Sequence, residues 1–210
     1  GLGEINFLNN LINKIFFNKE NYKFEDGLND SDLNKLTTIR SEFFDLISHF
    51  ENKKKYFSDK SLLNFQWIGF IKIIFPNAKV VNCIRDPKNN CLSIYKNLFD
   101  HEGAWCYEKK ELTQYYKLYS NLMAFWQDKM PNFIYDIKYE NLIKDPINQI
   151  KSLIKATNLT WDEKCLNFEK NKSAIKTLSV NQARNKIYSS SIRSYDNYKD
   201  FTKNLFSDLD

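Results

Sequence analysis

Glycine and proline are scarce in this chain, five and four among 210 residues. So little linker material argues for one folded domain over residues 1–210, not modules on flexible tethers. Histidine is rarer, with only His49 and His101, so a histidine-rich metal site is not expected and no metal is assigned. The four cysteines, Cys83, Cys91, Cys106 and Cys165, show neither C-x-x-C spacing nor a zinc pattern, and two lie within or beside apolar runs. Buried thiols in a reducing compartment, the cytoplasm, are the expectation. Long apolar runs are also missing. The longest candidate, Trp67 to Phe75, is interrupted by Lys72 and ends at Pro76, well short of the ~18 residues a membrane span needs. No signal peptide is legible, and the natural amino terminus is expected to lie upstream of Gly1.

What is present points to a folded protein. Hydrophobic residues make up 42% and aromatic residues 16%, too many for a disordered chain, and the length suffices for a sizeable core. The formal net charge of +5 suits a protein that meets anions. Nucleic acid is not the expected partner, because Lys and Arg are dispersed and not clustered on one face with aromatics between them.

The stretch FPNAKVVNCIRDPKNNCLSIYKN, Phe75 to Asn97, organises the rest. Val80 to Ile84 reads as a buried parallel strand that stops at Arg85-Asp86-Pro87. Asp86 is a good N-cap and Pro87 suits the first helical position, so a helix should follow. In strand–turn–helix units ligands bind beyond the carboxyl end of the strand, where Arg85 sits. An Arg fork with a hydroxyl donor, Ser93, is suitable for a phosphate. Locally a second reading is as good: Arg85 pairs with Asp86, and Ser93 back-bonds in its helix.

This segment resembles the 3′-phosphate-binding segment of the sulfotransferase superfamily, most closely the branch of protein-tyrosine sulfotransferases and bacterial tetratricopeptide-linked sulfotransferases. The resemblance implies that Arg85 and Ser93 hold the 3′-phosphate of 3′-phosphoadenosine 5′-phosphosulfate (PAPS). Further matches follow in order. Gly3-Glu4 matches the family's G-E pair, which implies Glu4 as catalytic base, although a Glu beside a helix start is also favoured by the helix dipole. Lys60, in Ser58-Asp59-Lys60 after a short Tyr56-Phe57 strand, matches a Lys that points at the oxygen bridging sulfate and nucleotide. Its plain alternative is an exposed turn lysine. NFQWIGFIKIIFPNAK sets the register between Lys60 and Arg85. KYENLIKDP implies Tyr139 near the nucleotide, with Glu140 capping and positioning the turn. In TLSVNQARNKIYSSSIRSY, Thr177 to Tyr195, the family's closing loop makes Ser179, Gln182, Arg184, Lys186 and Tyr188 candidate contacts. Arg193 follows, in an order that departs from the family's Gly-Arg-aromatic.

The remaining pattern is scaffold. Ile5 to Ile15 recurs at helical spacing, and a second helix opens at Ser31 with Leu33, Leu36, Phe43, Ile47 and Phe50 on one stripe. Helices are expected over Leu62–Phe75, Glu111–Met130 and Pro146–Ala156, a strand over Phe133–Ile137, and an aromatic loop with His101 and Trp105 over Asp100–Lys110. The fold implied is α/β: a parallel central sheet flanked by helices, of P-loop-kinase-like topology. Its first strand and 5′-phosphosulfate loop, of the form PRSGT, are missing from these residues. The function implied is transfer of a sulfuryl group from PAPS to an acceptor hydroxyl, of protein tyrosine, sugar or small molecule. The alternative is a non-catalytic nucleotide-binding remnant, and the chain by itself is expected to be inactive.

Overall fold

The computed structural model describes residues 1–17, 28–50, 55–97, 103–170, 195–198 and 206–209. These form two compact units, one within Gly1–Ala78 and one from Lys79 onward. His101, Ser179, Gln182, Arg184, Lys186, Tyr188 and Arg193 lie outside the described residues.

In the first unit, α1 (Phe7–Ile12) continues into a π-helical turn, Asn13–Phe17. Helix α2 (Asp30–Ser48) starts one residue before the expected Ser31, because Asn29 and Asp32 cap it reciprocally. Asn29 Oδ1 accepts from the Asp32 N–H at 3.1 Å, and Asp32 Oδ2 accepts from the Asn29 N–H at 3.2 Å. That double use, with Lys35 Nζ 2.9 Å from Asp32 Oδ1, lets a carboxylate sit almost fully buried. The expected apolar stripe is met in part, with Ile47 packed against the core. Leu36, Ile39 and Phe43 are buried, while Leu33 and Phe50 are exposed. At 3.6 residues per turn Leu33 lies roughly a quarter-turn off the face these three define, and Phe50 follows the helix end at Ser48.

The expected helix over Leu62–Phe75 is two pieces, a 3₁₀ segment Leu62–Trp67 and α3 (Ile68–Ile74). The Trp67 indole N–H donates to Asn9 Oδ1 at 2.9 Å where they join. Phe16 meets Phe70 edge-on with ring centroids 5.2 Å apart, and Phe43 meets Phe75 at 5.0 Å, so aromatic pairs knit α1, α2 and α3 into one core. Tyr56-Phe57 does not form the expected strand. A single parallel bridge, Gly3 to Asp59, stands in its place, and both rings are exposed.

In the second unit β1 (Val80–Ile84) and β2 (Ile134–Lys138) pair in parallel, with Val80 opposite Ile134 and Ile84 opposite Lys138. Strand β2 begins one residue later than expected. Phe133 N–H still closes a turn onto Met130 O at 3.2 Å, after Asn132 at φ 68°. Among the described residues the sheet has these two strands, so β1 is half-buried and Cys83 is exposed. This corrects the expectation of a buried strand and of four buried thiols, although none of the four cysteines is in a disulfide. Helices α4 (Pro87–Tyr95), α5 (Lys109–Lys129), α6 (Tyr139–Lys144) and α7 (Pro146–Ala156) surround the pair, followed by a 3₁₀ stretch, Glu163–Lys170, kinked at Asn167. The expected loop before α5 contains a 3₁₀ turn, Ala104–Tyr107, whose Trp105 stacks on Tyr115 at 3.9 Å. Cys91, Leu92, Leu112 and Phe206 form a core in this unit, with Tyr195 packed against it. No helix among the described residues is long and apolar enough to cross a membrane.

Candidate functional site

The Arg85 turn is built as the local chemistry dictates. Pro87 occupies the first helical position of α4 and Asp86 is its N-cap, with Asp86 Oδ1 accepting from the Asn89 backbone N–H at 2.8 Å. The same oxygen accepts from Asn89 Nδ2 at 2.6 Å, so it belongs to the helix start. On the other side the Asp86 N–H donates to Glu140 Oε1 at 2.9 Å, the positioning part assigned to Glu140. Glu140 is in the first turn of α6, which follows β2 directly, so the parallel pairing of β1 and β2 brings the two turns side by side.

Arg85 is half-buried, its guanidinium 5.4 Å from the centre of the Tyr139 ring. A flat cation over an aromatic face is held in orientation as well as place. Tyr139 therefore supports Arg85, whatever else it touches. Ser93 lies two turns along α4, half-buried, its carbonyl accepting from Asn97 Nδ2 at 2.7 Å.

Burial governs the titrating groups behind this turn. The Cys91 thiol is pushed up to about 12, first by burial and then by the Asp86 charge. Tyr116 is likewise raised to about 12, by burial and then by Tyr119. Burial also raises Tyr119, whose hydroxyl donates to Asn82 Oδ1 at 2.7 Å. Asn82 in turn donates to Asp136 Oδ1 at 2.8 Å, across the strand pair whose register sets those residues opposite one another. This polar ladder was not foreseen.

Glu4 and Lys60 meet in the first unit. Gly3 takes φ 82°, a left-handed conformation open to glycine without strain. Around it the chain forms a short parallel ladder: Leu2 N–H to Ser58 O at 2.8 Å and Lys60 N–H to Gly3 O at 2.8 Å. Asp59 fixes the far side, accepting from the Ser61 N–H and from Asn64 Nδ2, each at 3.0 Å. The result places Glu4 and Lys60, 56 residues apart in sequence, in a direct ion pair. Their side chains are 39% and 64% exposed, so both can be reached from solvent. A carboxylate beside an ammonium can take a proton from a hydroxyl at the carboxylate and meet developing negative charge at the ammonium. In the same unit Leu2, Phe44, Tyr56 and Phe57 help line a cavity of about 270 Å³. Among the described residues no group of three or more His, Cys, Asp or Glu is placed to hold a metal ion.

The profile of the Sulfotransferase family matches residues 13–163. The chain belongs to the sulfotransferase family. It is also similar to an uncharacterized protein of Aquifex aeolicus (strain VF5), at 25% identity over 207 residues. That match takes in 95% of this chain and 27% of the relative, so the chain spans about a quarter of that protein's length. The family match contains Lys60, Arg85, Ser93 and Tyr139, whereas Glu4 precedes it.

Proposed function

We propose that this sulfotransferase domain moves a sulfuryl group from PAPS to an acceptor hydroxyl, and that tyrosyl is among the acceptors it suits. One observation carries the reading. Arg85 stands at the carboxyl end of β1, oriented over Tyr139, in a turn braced by Asp86 and Glu140. That is where an α/β unit binds ligands, and a braced guanidinium is suited to a phosphate.

In this reading Arg85 and Ser93 hold the 3′-phosphate, with Tyr139 beside the nucleotide. Ser179, Gln182, Arg184, Lys186, Tyr188 and Arg193 are its further contacts. The acceptor oxygen attacks sulfur and Glu4 takes the acceptor proton. The bond from sulfur to the bridging oxygen breaks, and Lys60 meets the charge that builds on the departing phosphate of adenosine 3′,5′-bisphosphate. Cationic side chains and loop amides take the part that magnesium has in phosphoryl transfer. The family match crosses from one unit into the other, which supports a single domain. Its P-loop-kinase-like sheet would be completed by a strand and a phosphosulfate loop ahead of Gly1.

The competing reading is a nucleotide-binding remnant that no longer transfers sulfate. The ion pair favours it, since Glu4 and Lys60 engage one another. Titration with adenosine 3′,5′-bisphosphate and adenosine 5′-monophosphate tests what the two readings share, a preference for the bisphosphate. Equal affinity for the two ligands would sink both.

A further inference from the structure

Capping α4 requires only the Asp86 carboxylate and the Asn89 backbone N–H. The Asn89 side chain does something the cap does not need. It is 8% exposed, donates through Nδ2 to Asp86 Oδ1 at 2.6 Å, and accepts at Oδ1 from the Tyr195 backbone N–H at 2.9 Å, 106 residues away. A carboxamide can accept from a backbone amide and donate to a carboxylate at once, which neither a carboxylate nor an aliphatic side chain can do. Lys88 adds a second tie, its Nζ lying 5.8 Å from the centre of the Tyr195 ring. Phe206, further along, is buried beside Cys91 and Leu92 of α4, with its ring 6.5 Å from that of Tyr95.

We infer that Asn89 is a positioning residue of the nucleotide site, fastening the carboxyl-terminal segment at Tyr195 to the turn that carries Arg85. The inference rests on the reading that Arg85 binds the 3′-phosphate. Hydrogen bonds run unbroken from the Tyr195 N–H through the Asn89 carboxamide to Asp86, and from the Asp86 N–H to Glu140. Arg85 is bonded in sequence to the residue at the centre of that line, and its guanidinium lies over Tyr139, the neighbour of Glu140. Apolar packing such as that of Phe206 could hold the segment down. A directional network of half-buried hydrogen bonds also sets the angle of the turn it ends on.

The experiment compares the 210-residue chain with Asn89→Ala. It uses calorimetric titration with both nucleotides and amide hydrogen exchange at Tyr195. The variant is expected to exchange the Tyr195 amide faster and to bind adenosine 3′,5′-bisphosphate about tenfold more weakly, the range for stranding buried polar groups. Binding of adenosine 5′-monophosphate should change far less. Asn89→Ser serves if the alanine variant does not fold, because a hydroxyl in the first turn can still donate to Asp86. It is too short to accept from the Tyr195 N–H as well, so exchange should quicken and the preference for the bisphosphate should fall. A preference that survives both substitutions, or an equal loss for both nucleotides, overturns the inference. A wild-type chain that binds the two nucleotides equally overturns the underlying nucleotide reading instead, and the positioning role with it.

Discussion

Glu4 and Lys60 are brought together by one bridge, Gly3 to Asp59, and stay partly open to solvent. The Arg85 turn, by contrast, is tied on both sides by half-buried hydrogen bonds and backed by a core of Cys91, Leu92, Leu112 and Phe206. The difference is what the proposed roles would ask of each place. A residue that anchors a phosphate gains by being fixed before the ligand arrives, since ordering it afterwards would subtract from affinity. A base and a cation that act only as charge moves contribute little to ground-state binding and need access to acceptor and leaving group. The two places should therefore fail differently.

The largest difference should appear in turnover, in a longer protein that carries a phosphosulfate loop ahead of Gly1. There Glu4→Gln should lower the rate by ~10²-fold or more, the usual range for losing a general base, while PAPS affinity stays nearly unchanged. Initial rates and equilibrium binding on one preparation check it. Full activity in the variant would make Glu4 only a carboxylate near a helix start, and His101 the next base to examine.

Arg85→Ala should do the reverse. Removing one partner of a desolvated ion pair costs ~2–5 kcal/mol, so adenosine 3′,5′-bisphosphate should bind at least tenfold more weakly while adenosine 5′-monophosphate is little affected. Titration of the variant decides between a 3′-phosphate anchor and an arginine that only packs on Tyr139.

Legibility in the sequence divides along the same line. Asp86 and Pro87 could be read because capping chemistry is local, decided within three or four residues of the helix start. Helix α7 could be read for the same reason, from Asp145-Pro146. Asn89 could not, because the partner that gives its side chain a purpose, Tyr195, is 106 residues away and pairs through a backbone N–H, which has no sequence signature. Family resemblance alone gave Glu4 and Lys60 roles at one reacting group, and their ion pair was not foreseen. The bridge that makes it possible needs one glycine at φ 82° and no strand pattern at all. The face of α2 was misjudged for a simpler reason. Leu33 and Ile39 are both apolar, and only packing against α1 and α3 selects Ile39.

Raising the pH should unsettle the second unit and leave the first nearly untouched. The folded state raises Cys91 from 9.0 to about 12 and Tyr116 from 10.0 to about 12. The unfolded chain gives up the Cys91 proton above about pH 9 and the Tyr116 proton above about pH 10 while the folded chain keeps both, so stability is fully present below pH 9 and declines as pH rises toward 12. Each group contributes up to ~1.4 kcal/mol per pH unit within that window, and Tyr116 less, because it is only half-buried. Denaturant unfolding at pH 7.5 and pH 10.5, followed by near-ultraviolet signals, should show the loss, and Cys91→Ala should remove much of the pH dependence. A flat profile would mean that water reaches Cys91.

The smallest effect expected is the most discriminating for the comparison. Lys60→Ala deletes an ion pair that is conspicuous in the structure, yet both partners are exposed: the Coulomb gain is diluted by water, and holding two long side chains together costs rotamer freedom. Stability should change by less than ~1 kcal/mol. The backbone ladder under the pair, Leu2 to Ser58 and Lys60 to Gly3, uses no side-chain atom of Lys60 and should survive. In the longer protein the same substitution should lower turnover comparably to Glu4→Gln, because a cation aimed at a departing phosphate acts where charge develops. A loss of several kcal/mol in denaturant unfolding, with turnover preserved, would reverse the assignment: the pair would be a clasp holding residues 1–4 to the turn at Asp59, and the chemistry would have to lie elsewhere.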